Sequence, residues 1–159
     1  MEGLVIREML YEDLSAVHAI ENLSFTAPWQ LNSFISELGN SDAVMKVAVF
    51  SGKVAGYVCI RAILDSAHVL DLAVIPECRR MGLGGLLLKN ALQEIRISRP
   101  ELKSVTLEVR ESNIEAIRLY EKFGFTETGR RRGYYQRPIE DAVIMERDMD
   151  INDLHLPSH

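Results

Sequence analysis

At 159 residues the chain has the length of one domain with a substantial buried core. Its 47% hydrophobic and 26% charged residues are ordinary for a globular protein, and a net charge of −5 argues against a nucleic-acid partner while suiting a basic peptide. No apolar run reaches membrane-spanning length, MEGLVIREML lacks the features of a secretion signal, and Cys59 and Cys78 are too few for a disulfide framework, so a cytoplasmic protein with no membrane partner is expected.

Gly3 to Met9 reads as a first strand, with Leu4, Ile6 and Glu8 alternating against Val5 and Arg7. A helix opens at Tyr11-Glu12-Asp13, carrying Leu14, Val17 and Ile20 on one side and Glu21 on another. The segment NLSFTAPWQ is a proline-broken loop leading to a short helix over Leu31 to Leu38. Phe25, Pro28 and Trp29 in this loop are candidates for one wall of a peptide groove, and a plug in the core is the competing reading of Trp29. Ala43 to Phe50 and Lys53 to Ile63 are strands joined by the hairpin turn Ser51-Gly52, and Asp65-Ser66 turns the chain into the next strand. An antiparallel meander is the expected result.

The stretch from Val69 to Leu92 carries the strongest signal. It starts as a strand to Ile75, apolar except for Asp71, and stops at Pro76. A basic, glycine-rich turn, Arg79-Arg80-Met81-Gly82-Leu83-Gly84-Gly85, opens a helix whose Leu83, Leu87, Ala91 and Ile95 recur every four residues. Bare helix amides, glycines and two arginines make an anion site suited to a phosphate-bearing cofactor. Gly84 is followed by Gly85 and Leu86, not by the Lys-Ser/Thr of a nucleotide-triphosphate loop, and Leu87 stands where a dinucleotide fingerprint needs a third small residue. A glycine turn feeding a core helix is the alternative.

Arg99-Pro100 ends that helix, and Ser104 to Val109 is again a strand, parallel to its predecessor because a long helix joins them. Val105, Leu107 and Val109 share one face, and Thr106, Glu108 and Arg110 share the other. Ser112 and Glu115 have capping-box spacing, so a helix is expected to start there, with Ile117, Tyr120 and Phe123 along one side and Gly124 ending it. Residues 125–148 form a last hairpin, with Arg130, Arg131, Arg132 and Arg137 around Tyr134 and Tyr135. Ile151 to His159 reads as a loose tail beyond a single domain over residues 1–150. No metal-ligand spacing is present.

The segments RRMGLGG, LEVRESNIEAIRLYEKFGF and GRRRGYYQRPIEDAVIMERDM, in this order, resemble the ribosomal-protein-alanine N-acetyltransferases of the GNAT superfamily, over roughly residues 3 to 149. The resemblance implies an α/β GNAT fold: a mixed, V-splayed sheet of about seven strands flanked by helices, with acetyl-CoA as co-substrate in the splay. It implies that Leu72, Ala73 and Val74 line the pantetheine arm. Arg79, Arg80, Met81, Gly82, Leu83, Gly84 and Gly85 would hold the pyrophosphate, and Asn113 would contact the cofactor. It also implies that Glu108 is the proton acceptor and Tyr120 the proton donor, with Tyr134 and Tyr135 as further walls for the acceptor. Gly133 stands where some relatives carry a polar residue. The implied activity is acetylation of a protein or peptide N-terminus, most simply that of an alanine-starting ribosomal protein. Acetylation of a small amine or a lysine side chain, and a non-catalytic acetyl-CoA-binding module, are the alternatives.

Overall fold

Four strands in chain order build the first part of the sheet: β1 (Leu4–Glu8), β2 (Ala43–Phe50), β3 (Lys53–Ile63) and β4 (Ser66–Val74). Each is antiparallel to the one before it. Ser51 and Gly52 both take positive φ, 52° and 79°, the mirror-image turn whose twist matches that of the strands it joins. β5 (Ser104–Arg110) lies parallel to β4, and the hairpin of β6 (Thr126–Tyr135) and β7 (Glu140–Asp148) completes a seven-stranded sheet of order β1-β2-β3-β4-β5-β7-β6. The computed structural model describes residues 3–149. The expected tail lies outside them.

Each face of the sheet carries its own core. On one face, helices α1 (Leu14–Ser24) and α2 (Leu31–Leu38) bury Val17, Ile20 and Phe34 against Val47, Tyr57 and Cys59. On the other, α3 (Leu83–Ser98) and α4 (Ile114–Lys122) bury Leu87, Leu88, Ile95 and Tyr120 against Val58, Ile60, Val105 and Leu107. The expected faces of β5 are observed: Val105, Leu107 and Val109 are buried, while Glu108 is exposed.

Three boundaries differ from the sequence reading. Tyr11–Asp13 is a single 3-10 turn, and the α-helix proper begins at Leu14. β4 begins at Ser66, earlier than the apolar run at Val69. The fourth helix is capped by Asn113, whose Oδ1 accepts the Ala116 amide at 3.2 Å, and not by Ser112. The Ser112 amide instead donates to Glu140 at 3.0 Å, a partner 28 residues away that no local spacing announces.

The feature that positions the site is a fault in strand pairing. Cys59 faces Asp71 and Ile60 faces Val69, so β4 has one more residue here than β3. Leu70 and Asp71 thus fall on the same side, a β-bulge that also bends the strand. Pairing of β4 with β5 runs from Ser66 and Ser104 to Val69 and Leu107 and stops at the bulge. Beyond it the two strands diverge.

Candidate active site

Two adjoining cavities occupy the gap between β4 and β5. The larger, about 680 Å³, runs from the end of β4 to the start of α3. Ile75 donates its amide to Ala55 of β3 at 2.8 Å, and antiparallel alternation then turns the backbone groups of Leu72 and Val74 toward the open gap. At the other end Gly82 is the N-cap of α3 with φ 83°, a left-handed conformation that side chains disfavour. Its carbonyl accepts the Leu86 amide at 3.1 Å, the first bond of the helix, so the amides of Leu83, Gly84 and Gly85 belong to the turn that has no intrahelical acceptor. Arg79 donates from Nε to the Val74 carbonyl at 3.1 Å, which fixes it beside the strand end. Arg80 is exposed and sits 3.4 Å from Glu115.

Of the residues expected to bind a cofactor, Leu72, Ala73, Val74, Arg79, Arg80, Gly82, Leu83, Gly84, Gly85 and Asn113 all line this cleft. Met81 does not. Its side chain is exposed on the outside of the turn. Cys78 lies buried along the cleft wall, and Cys59 is a buried strand residue.

The smaller cavity, about 210 Å³, continues from the first and shares Leu72, Asn113 and Tyr120 with it. Glu108 enters from β5, with its carboxylate 3.2 Å from the Arg131 guanidinium of β6. Tyr120 enters from α4, its ring packed edge-on to Phe125 at 5.7 Å. Burial, with Asp71 and Tyr135 adding to it, raises its phenol above the usual range, so the hydroxyl keeps its proton at neutral pH.

Phe25, Trp29 and Tyr135 form walls of this cavity, as expected, but Pro28 and Tyr134 do not line it. Trp29 also packs on Phe34 at 4.9 Å, so the tryptophan both plugs the core and lines the cavity. Tyr134 is half exposed and stands under the Arg131 guanidinium, 5.4 Å from the ring centre. The strand alternates its side chains, so of two neighbouring tyrosines only one turns inward. Burial and the nearby Glu108 raise the Tyr135 phenol to about 12.

Two groups here escaped the sequence reading. Arg110 closes the cavity: it reaches Thr26 Oγ1 at 2.9 Å, the Gln136 and Pro138 carbonyls at 2.9 and 3.1 Å, and Glu140 at 3.2 Å, and lies 4.4 Å above the Tyr135 ring. Its partners come from the loop after α1 and from the turn between β6 and β7, both distant in sequence, so nothing local signals it. Glu21 is buried, not turned to another side of its helix. Its spacing from Leu14 and Val17 does place it on the apolar stripe, and that was the missed signal. Tyr57 donates its hydroxyl to Glu21 Oε1, and the Trp29 amide donates to Oε2 at 2.9 Å.

A strand edge, a bare helix start and a carboxylate facing a buried phenol across a divided sheet are parts that an acyl-transfer enzyme needs. The model of the acetyltransferase (GNAT) family matches residues 14–125. The chain belongs to this family. A ribosomal protein bS18-alanine N-acetyltransferase of Escherichia coli (strain K12) is 36% identical to this acetyltransferase over 135 residues, covering 84% of this chain and 89% of the relative. A provisionally named bS18-alanine N-acetyltransferase of Bacillus subtilis (strain 168) is 39% identical over 141 residues, 88% of this chain and 92% of the relative. Among solved structures, the Escherichia coli ribosomal-protein-S18-alanine N-acetyltransferase superposes with a TM-score of 0.83 at 32% identity, over 96% of this chain and 99% of that one. The acetyltransferase thus has the GNAT fold, as the mixed seven-stranded sheet indicated. Among the described residues, no group of His, Cys, Asp and Glu is placed to hold a metal, and no helix is long and apolar enough to cross a membrane.

Proposed function

We propose that this acetyltransferase moves the acetyl group of acetyl-CoA to the N-terminal α-amine of an alanine-starting ribosomal protein, bS18, in the cytoplasm. The observation that carries the reading is the junction of the two cavities at Tyr120, with a phosphate cradle on one side and Glu108 on the other. The identity to bS18-alanine N-acetyltransferases over most of the chain points to the acceptor.

The cleft residues fit acetyl-CoA. The free amides at the start of α3, with Arg79 and Arg80 beside them, suit a pyrophosphate. Arg79 holds the Val74 carbonyl and Asp71 the Leu72 amide, so the Leu72 carbonyl and the Val74 amide are the gap-facing groups suited to an extended arm, with Asn113 at the junction. When bound, the co-substrate supplies an activated acetyl thioester.

This chain's own residues then manage protons. An α-amine has a pKa of about 7.7–8.0, so much of it arrives protonated near neutrality. Glu108, on the acceptor side, takes up a proton from it directly or through water. Arg131 orients the Glu108 carboxylate from the rim. Tyr120, held neutral by burial, donates its hydroxyl proton to the departing sulfur. The backbone amide at Val74, turned to the gap, is placed to donate to the carbonyl oxygen as charge develops there.

Incubation with acetyl-CoA and a panel of peptides tests the reading. An alanine-starting bS18 peptide is the expected acceptor, and the same peptide with a blocked N-terminus but free lysines is inert. Faster acetylation of lysine side chains or polyamines would overturn it in favour of the small-amine alternative.

A further inference from the structure

The mechanism leaves unused one pair of buried carboxyls in the lining of the acceptor cavity. Asp71, at the bulge of β4, and Glu21, in the last turn of α1, are buried together on the α1–α2 face of the sheet. The bulge puts them there. Strict alternation from Val69 would carry position 71 to the α3 side, and the extra residue returns it to the side of Cys59, Tyr57 and Glu21.

The hydrogen bonds around the two carboxyls leave one position open. Glu21 accepts from the Tyr57 hydroxyl on one oxygen and from the Trp29 amide on the other. Asp71 Oδ1 accepts the Leu72 amide at 3.0 Å. Asp71 Oδ2 is fully buried, and no hydroxyl or N–H reaches it. Glu21 is the other buried carboxyl of the same cavity lining. Two buried carboxylates in mutual reach repel unless a proton stands between them.

We propose that Asp71 and Glu21 share one proton as a clasp that fastens the Phe25–Trp29 wall of the acceptor cavity to β4, which makes Asp71 a positioning residue for the acceptor. Observed bonds tie the Leu72 amide to Asp71 and the Trp29 amide to Glu21, and the shared proton would join the two halves. It links the strand edge offered to acetyl-CoA with the loop offered to the acceptor. The groups facing the pair are Tyr57 and Cys59 from β3 and Tyr120 from α4, with Glu37 of α2 beyond Cys59. Glu108 and Arg110 line the same cavity, but the Arg110 guanidinium is bonded to Thr26, Gln136, Pro138 and Glu140, and Arg61 is bonded to Glu37. The bonds of both cations thus go to groups other than the two carboxyls. Burial first, and Glu21 second, raise the Asp71 carboxyl to about 10, in keeping with a proton retained through neutrality.

The consequence for stability has a definite sign. The unfolded chain releases this proton above the ordinary Asp value of about 3.9, whereas the folded chain keeps it. The contribution is therefore complete below that value and is lost as pH rises toward about 10. Asn at position 71 offers an oxygen to Leu72 and an N–H to Glu21 at every pH, and so reproduces the clasp without the proton. Trp29 is the only tryptophan of the chain, so its fluorescence reports on the strapped loop.

The experiment compares wild type, Asp71→Asn and Asp71→Ala by unfolding equilibrium, Trp29 emission and acetylation of an alanine-starting peptide between pH 5 and 10. The wild-type unfolding constant should rise relative to that of Asp71→Asn by up to about tenfold per pH unit. Trp29 emission should shift to the red near the top of this range in wild type but not in Asp71→Asn. Asp71→Ala should raise the peptide KM about tenfold, and Asp71→Asn should restore it to within about twofold. A pH-independent ratio of unfolding constants overturns the shared proton. Trp29 emission and peptide KM in Asp71→Asn as disturbed as in Asp71→Ala overturn the clasp. Should Asp71→Ala not fold, the pH series on Asp71→Asn decides by itself. The proposal rests on the acceptor-cavity reading only for the KM result. If wild type acetylates no peptide, the proposed function fails while unfolding and fluorescence still judge the clasp.

Discussion

The cofactor cleft and the acceptor cavity lie side by side but are made differently. One wall of the cleft is largely backbone: a strand edge, a left-handed glycine and the first amides of one helix, from a stretch running from Leu72 to Gly85, with the end of α1 and the segment from Arg110 to Tyr120 as the other wall. The cavity is largely side chains from six places: α1, the loop after it, β4, β5, α4 and the β6–β7 hairpin. Backbone presented by contiguous residues suits a co-substrate common to many enzymes. Side chains gathered from distant segments can each be varied, which suits recognition of one acceptor. The comparison predicts that damage to the cleft weakens binding of acetyl-CoA, whereas damage to the cavity spares that binding and slows or misdirects transfer.

The largest effect is expected in the cavity. Glu108→Gln keeps the shape but cannot take a proton, so turnover should fall about 100- to 10,000-fold with acetyl-CoA affinity unchanged. The loss should be deepest at and below neutral pH, where the acceptor amine is mostly protonated. Steady-state kinetics with a peptide acceptor, alongside calorimetry with CoA, checks both halves.

In the cleft, Gly84→Asp should weaken acetyl-CoA binding about 100-fold while the protein still folds. A Cβ at this position meets Leu119 only at 3.5 Å, an ordinary contact, but the carboxylate brings negative charge to the phosphate cradle. Unchanged affinity by calorimetry would remove the cradle from the assignment.

A smaller effect separates wall from chemistry. Arg110→Met removes the bonds to Thr26, Gln136, Pro138 and Glu140 together, and should raise the peptide KM about tenfold with kcat changed less. An equal fall in kcat would instead place Arg110 among the reacting groups.

Smallest is Tyr120→Phe. The ring contact with Phe125 survives, so melting temperature should hold, while transfer slows by about tenfold or less, because a thiol of pKa about 8.5 leaves tolerably well without an acid. Equal rates would reduce Tyr120 to a core aromatic.

The same contrast explains what could be read from the chain. The backbone wall of the cleft was legible because its parts are neighbours in sequence: Arg79 to Gly85 between a strand and an apolar helix is a local pattern, and of that turn only Met81 lies outside the lining. The faces of β5 were legible because a strand has a period of two. The cavity was legible only through resemblance to a family, and less completely. Tyr134 and Tyr135 could not be told apart without the register of the last hairpin. Arg110 shares a strand face with Glu108, yet its role depends on segments up to 84 residues away. Ser112 lost its expected cap role because the helix starts one residue later, at Ile114, which makes Asn113 the cap, while Glu140 takes the Ser112 amide that a capping box would have given to Glu115. Glu21 was misplaced because a carboxylate on an apolar stripe looks like a boundary residue until its buried partners are known.

The extra residue in β4 behaves as a removable spacer. Deleting Leu70 would let Asp71 follow Val69 directly, opposite the same Cys59, so every later side chain of the strand would keep its face. Both cores would survive. What would vanish is the bend, and with it the reason for β4 to leave β5 after Val69. The shortened chain is expected to fold, with the two strands zipped further along and little room left for acetyl-CoA between them. A single codon would thus separate a working transferase from a well-folded protein with a closed sheet, and sequences of this length class should tolerate substitution at position 70 far better than its loss.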